Sequence, residues 1–150
     1  MVTTDTQFDS DLARLRGDLE HARADFLAVL GRFSDDQLHL AKRGGWTVRR
    51  VLEHVISSEQ AYARVIGHLR GQPIEGELPP SSPATLDDAR AKLSAAREAL
   101  LRALAGVDED AFYALQQIGR EEYSIISVLE NARGHDHEHA EQLAETLQRS

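Results

Sequence analysis

The chain has 150 residues, 41% hydrophobic and 28% charged, enough for one domain over residues 1–150 with a core that needs no staples. Its net charge of −8, with the 17 basic residues scattered, excludes a phosphate-binding face and so a nucleic-acid partner. The absence of cysteine excludes disulfides and thiol nucleophiles, no apolar run approaches the ~20 residues that span a bilayer, and the polar stretch Met1 to Asp11 is no signal peptide, which leaves the cytoplasm as the expected location.

A first helix is predicted from about Thr6 to Gly31. Phe8, Leu12, Leu15, Leu19, Ala22, Phe26 and Leu30 recur at three- and four-residue steps and form one apolar stripe. Ser34 and Gln37 fit a capping box that opens a short turn near Asp35 to Leu40, and Gly44-Gly45 then breaks the chain. Thr47 is a good N-cap for a second long helix to about Leu69. Its apolar face comprises Val48, Val51, Leu52, Val55, Ala61, Tyr62, Val65 and Leu69.

All four prolines lie within Gly71 to Pro83, so residues 71–84 read as a loop long enough to cross one end of a bundle. Thr85 caps a third helix that runs to Ala105, with Leu86, Ala89, Leu93, Ala96, Leu100 and Leu104 facing inward, and Gly106 stops it. A short turn at Asp108 to Ala114 and an irregular stretch through Gly119 precede a last helix from about Glu122 to Leu147. Four long helices with one long connection predict an all-α four-helix bundle.

The last helix carries His135-Asp136-His137-Glu138-His139-Ala140-Glu141-Gln142. His135 and His139 stand one turn apart, about 6 Å along the axis and about 40° around it, so their imidazoles can converge on one ion. His137 points to nearly the opposite face. The stripe that holds His135 and His139 overlaps the apolar stripe of Ile125, Leu129, Ala132, Leu143 and Leu147, which turns both rings toward the bundle. Buried imidazoles need partners, and a divalent cation is a common one.

His54, between Val51 and Val55, is the best third ligand; His21, His39 and His68 lie in a turn or off the apolar stripes. Three histidines with one open position match a catalytic rather than a closed structural metal site. A zincin is excluded because Glu141 stands four residues after His137, and a ferritin-like di-iron centre because no Glu-x-x-His pair is present.

The stretch Gly45-Trp46-Thr47 through Glu53-His54-Val55, followed by His135-x-x-x-His139-x-x-Gln142, resembles the DinB/YfiT-like superfamily over most of the chain. The resemblance implies that His54, His135 and His139 bind zinc, nickel, manganese or iron in a homodimeric bundle. It also implies a metal-dependent enzyme that transfers a low-molecular-weight thiol to a small electrophile, or isomerises or hydrolyses a small substrate. The lack of cysteine suits a thiol that arrives as cosubstrate. The ligand set does not separate thiol transfer from hydrolysis, and a non-catalytic dimeric metal-binding or ligand-binding bundle is the alternative.

Around this site, Gln142, one turn past His139, is a candidate hydrogen-bonding group behind the ligands, and Glu59 a candidate general base or acceptor there. Trp46 reads as a hydrophobic staple at the start of the second helix or as a pocket wall, and Tyr62 as a core aromatic or a pocket wall. Gly134, unusual within a helix, suggests close packing near the site.

Overall fold

The computed structural model describes residues 6–149, so the expectation for Met1 to Asp11 falls partly outside the described residues. Helix α1 spans Gln7–Leu30; Thr6 caps it by accepting from Asp9 N, and the Asp9 carboxylate accepts from Thr6 N in return. Ser34 and Gln37 close a second capping box around the 3₁₀ turn Asp35–Gln37. Helix α2 spans Val48–Leu69, with Thr47 accepting from Arg50 N. Helix α3 spans Leu86–Leu104, with Thr85 accepting from Asp88 N, and all six of its expected core residues are buried.

A one-turn helix α4, Glu109–Tyr113, places Phe112 in the core. Where irregular chain was expected, strands β1 (Gln116–Ile118) and β2 (Glu121–Tyr123) form a small antiparallel hairpin, with Gly119 at φ 65° in its tight turn. Three-residue polar strands carry no alternating pattern long enough to announce them. Helix α5 therefore starts at Ile125 rather than near Glu122 and runs to Arg149. Ser124 accepts from Ser127 N while the Ser127 hydroxyl accepts from Ser124 N, which satisfies two of the backbone donors at the helix start.

The protein is a four-helix bundle, with α1 on α5, α2 on both α3 and α5, and residues 71–84 crossing between α2 and α3. Glycine is needed at 67, where the loop folds back: a Cβ there would stand 2.8 Å from the Gln72 carbonyl oxygen. Among the described residues no helix is long and apolar enough to cross a membrane.

The core is two apolar clusters rather than one. Leu19, Ile66, Leu100, Phe112 and Leu129 belong to the first; Phe26, Val51, Ile56, Leu93 and Leu143 belong to the second. A polar layer separates them in sequence on every long helix, with Arg23 from α1, Glu59 from α2, Arg97 from α3 and Asp136 from α5. The α2 stripe also differs from expectation: Ala61 is exposed, while Ile56, Ala63 and Ile66 are buried. At Gly134 an added Cβ would meet nothing within 4 Å, so close packing does not account for that glycine.

Candidate metal centre

Helices α2 and α5 meet where His54 faces His135 and His139. The Nε2 atoms of His54 and His135 lie 2.9 Å apart, and those of His135 and His139 lie 3.0 Å apart. His139 is 6% exposed and the other two are half-buried. These three residues could hold a metal ion, as the spacing on α5 and the position of His54 predict.

The donor set fits a cation on chemical grounds. A neutral imidazole nitrogen carries either a proton or a lone pair, so Nε2 of His135 can make a hydrogen bond to only one of its two close neighbours. The three nitrogens cannot satisfy one another, whereas an electron-pair acceptor between them uses all three lone pairs. Gln142 supports that arrangement: its Oε1 lies 2.6 Å from His139 Nδ1, which accordingly carries the proton and leaves Nε2 with its lone pair inward.

The surroundings favour the uncharged, ligating form of the rings. Burial, reinforced by His139 and His54, pushes the His135 pKa down to about 4. Burial also lowers that of His54, helped by His139 and Arg50 and opposed by Glu138. Below neutrality these two rings therefore resist protonation longer than ordinary histidines do.

The turn ahead of α2 builds the outer wall. Gly44 adopts φ 76°, Gly45 N donates to Lys42 O at 2.7 Å, and Val48 N and Arg49 N donate to the carbonyls of Leu40 and Leu38. This pins Trp46 with its ring edge-on to His54, centroids 5.1 Å apart, and with the Arg50 guanidinium 5.1 Å over its face. Trp46 is 40% exposed and lines the cleft, together with the glycines before it. The cleft, about 600 Å³ in volume, is open to solvent, and its opposite side carries Glu138, Glu141, Gln142 and Glu145. Lys42 pairs with Glu145 across it at 2.9 Å.

Tyr62 is half-buried and stands edge-on to His135, with centroids 6.1 Å apart; burial raises its pKa. Glu59 is placed differently from the expectation of a base near the ligands. It is 2% exposed, and both oxygens are taken by guanidinium donors: Arg23 at 2.9 Å, and Arg97 at 2.9 and 3.1 Å. Three of the roughly four acceptor sites of this carboxylate are thus occupied, and Glu59 is not among the residues that line the cleft. Glu138, which sequence reasoning passed over, lines the cleft and its charge acts on both His54 and His135; its position three residues after His135 on one helix face was the signal for it. His137, His21, His39 and His68 are exposed and outside the cluster.

Fold and site together define a helical bundle with an open three-histidine cluster between two of its helices. The sequence matches the DinB superfamily over residues 18–143, and the chain belongs to that superfamily. The crystal structure of TT2238, a four-helix bundle protein, is 27% identical and superposes with a TM-score of 0.68 over 88% of this chain and 96% of that one. A DinB-like protein from Bacillus cereus ATCC 10987 is 18% identical, with a TM-score of 0.67 over 92% of this chain and 89% of that one, and shares the fold. No curated protein sequence matches the chain significantly.

Proposed function

We propose that the protein binds a divalent metal ion through His54, His135 and His139 and uses it to transfer a low-molecular-weight thiol to a small electrophile or to hydrolyse a small substrate. The observation that carries this reading is the convergence of three Nε2 atoms in an open cleft, where mutual hydrogen bonding cannot satisfy them. A bound ion would supply Lewis acidity, which lowers the pKa of a thiol or water brought to it.

The chain's own groups complete the reading. Gln142 holds His139 in the ligating tautomer, and Trp46 gives an apolar wall against which a small electrophile can rest. In this reading Glu138, the cleft-lining glutamate whose charge acts on His54 and His135, accepts the proton that a thiol or water gives up. With no cysteine in the chain, the thiol comes from solution as cosubstrate. In this reading the protein is a cytoplasmic homodimer that acts on small molecules, with no nucleic-acid or membrane partner.

The test is elemental analysis of the purified protein, followed by reconstitution of metal-free protein with zinc, nickel, manganese or iron. Reconstituted protein is then assayed for thiol addition to a chromogenic electrophile and for ester hydrolysis. One ion per chain, lost in His54→Ala, His135→Ala and His139→Ala, and metal-dependent turnover are the expected results. Metal content that is absent, or indifferent to all three substitutions, overturns the proposal.

A further inference from the structure

Each long helix contributes one charged side chain to a largely buried quartet, namely Arg23, Glu59, Arg97 and Asp136. Arg23 donates through Nη2 to Glu59 Oε1 at 2.9 Å and through Nε to Asp136 Oδ2 at 3.0 Å. Arg97 donates through Nε to Glu59 Oε2 at 2.9 Å and through Nη2 to Asp136 Oδ2 at 3.3 Å. Each guanidinium therefore grips both carboxylates, one on α2 and one on α5. Their remaining Nη1 donors reach backbone carbonyls, Arg23 to Leu93 and Arg97 to Leu19, both at 3.3 Å. Among the described residues no buried side-chain polar atom lacks a partner.

Stability alone is a poor reason for such a layer, since apolar residues of similar volume commonly serve a core as well as or better than buried charges. Direction is what the charges add. Apolar faces slide past one another at little cost, whereas a planar guanidinium that bridges two carboxylates fixes both in distance and angle. The two helices fixed in this way are the two that carry the histidines. Asp136 follows His135 directly, and Glu59 lies about 7.5 Å along α2 from His54. Ligand distances in a metal site tolerate only about 0.2 Å of error, less than loosely packed helices hold.

We infer that the quartet is the positioning device of the histidine cluster: Arg23 and Arg97 clamp Glu59 to Asp136 and so hold α2 and α5 where His54 converges with His135 and His139. Arg23, Glu59, Arg97 and Asp136 are positioning residues and touch no ligand. The inference rests on the proposed metal site for its readout, but not on any catalytic activity.

The probe is Co²⁺ alone, titrated into metal-free full-length protein and followed by its visible absorption. Arg97→Lys keeps the charge but loses the two-pronged grip, and Glu59→Gln keeps the shape but loses the charge. Both are expected to stay helical by circular dichroism, to bind Co²⁺ about 10–100-fold more weakly, and to show a shifted visible band. Leu104→Ala, distant from the quartet, lowers the melting temperature and leaves the Co²⁺ spectrum unchanged, which separates positioning from general loss of stability. Should both single variants fail to fold, the double variant Glu59→Gln/Arg97→Gln removes one charge of each sign and leaves Arg23–Asp136 to hold the bundle. Folded variants that bind Co²⁺ with wild-type affinity and spectrum overturn the inference. A wild-type protein that binds no Co²⁺ overturns the metal-site proposal instead.

Discussion

Two polar clusters meet on helices α2 and α5, and they are opposites. In the quartet every buried donor and acceptor has a partner, and both carboxylates are out of reach of solvent, with Arg97 alone part-exposed. In the histidine cluster the nitrogens outnumber the bonds they can make to one another, and the cluster opens into a cleft. A satisfied polar group in a core maintains architecture, whereas convergent nitrogens with only one another as partners, open on a cleft, can take up something from outside. His135 and Asp136 are adjacent in sequence and belong one to each, so substitution can pull the two behaviours apart.

The largest effect is expected at His135. His135→Ala should abolish stoichiometric metal binding, measured by elemental analysis, and change the stability of the metal-free protein by no more than about 1 kcal/mol. Asp136→Ala should do the reverse to the fold, because it leaves two buried guanidiniums with one carboxylate. Loss of about 3–5 kcal/mol is expected, read in urea unfolding or as a fall in Tm of roughly 10–15 °C. If the two neighbours give the same phenotype, the distinction between the clusters collapses.

Gln142→Leu sharpens the comparison from within the open cluster. The ring of His139 loses the acceptor that fixes its proton on Nδ1, and metal affinity should fall about 10–100-fold by competitive titration with no change in helicity.

The smallest effect concerns a third kind of polar contact, near the surface, in which Tyr113 Oη donates to Asp11 Oδ2 at 2.6 Å. That bond pushes the Tyr113 pKa up to about 12 and holds the Asp11 carboxyl below its ordinary 3.8. A raised tyrosine pKa means stability that is whole below pH 10 and fades as pH climbs toward 12. A lowered carboxyl pKa means stability present above pH 3.8 and lost as pH falls further. Tyr113→Phe should be slightly less stable than wild type at neutral pH, with the gap closing at both extremes in pH-dependent melting curves.

The histidine cluster was legible in the sequence because its geometry is mostly local. A four-residue step on one helix, plus one histidine beside the apolar stripe of another, needs only helical periodicity and a rough register. The bundle was legible for the same reason, through the stripes of α1, α3 and α5. The quartet was not: Arg23, Arg97 and Asp136 look like any solvated residues of an amphipathic helix, and Glu59 was read as a possible base beside the ligands. Their burial depends on four helices meeting at one level, which no single helix encodes. The hairpin ahead of α5 escaped because its strands are too short and too polar to show a period of two.

Trp46 is the chain's single tryptophan, and it rests edge-on to His54. All indole emission from this protein therefore originates within a few ångströms of the histidine cluster. Open-shell ions that arrive there should quench it, while zinc should leave most of the light and alter only its colour. The molecule thus reports on the occupancy of its own cleft with no label attached.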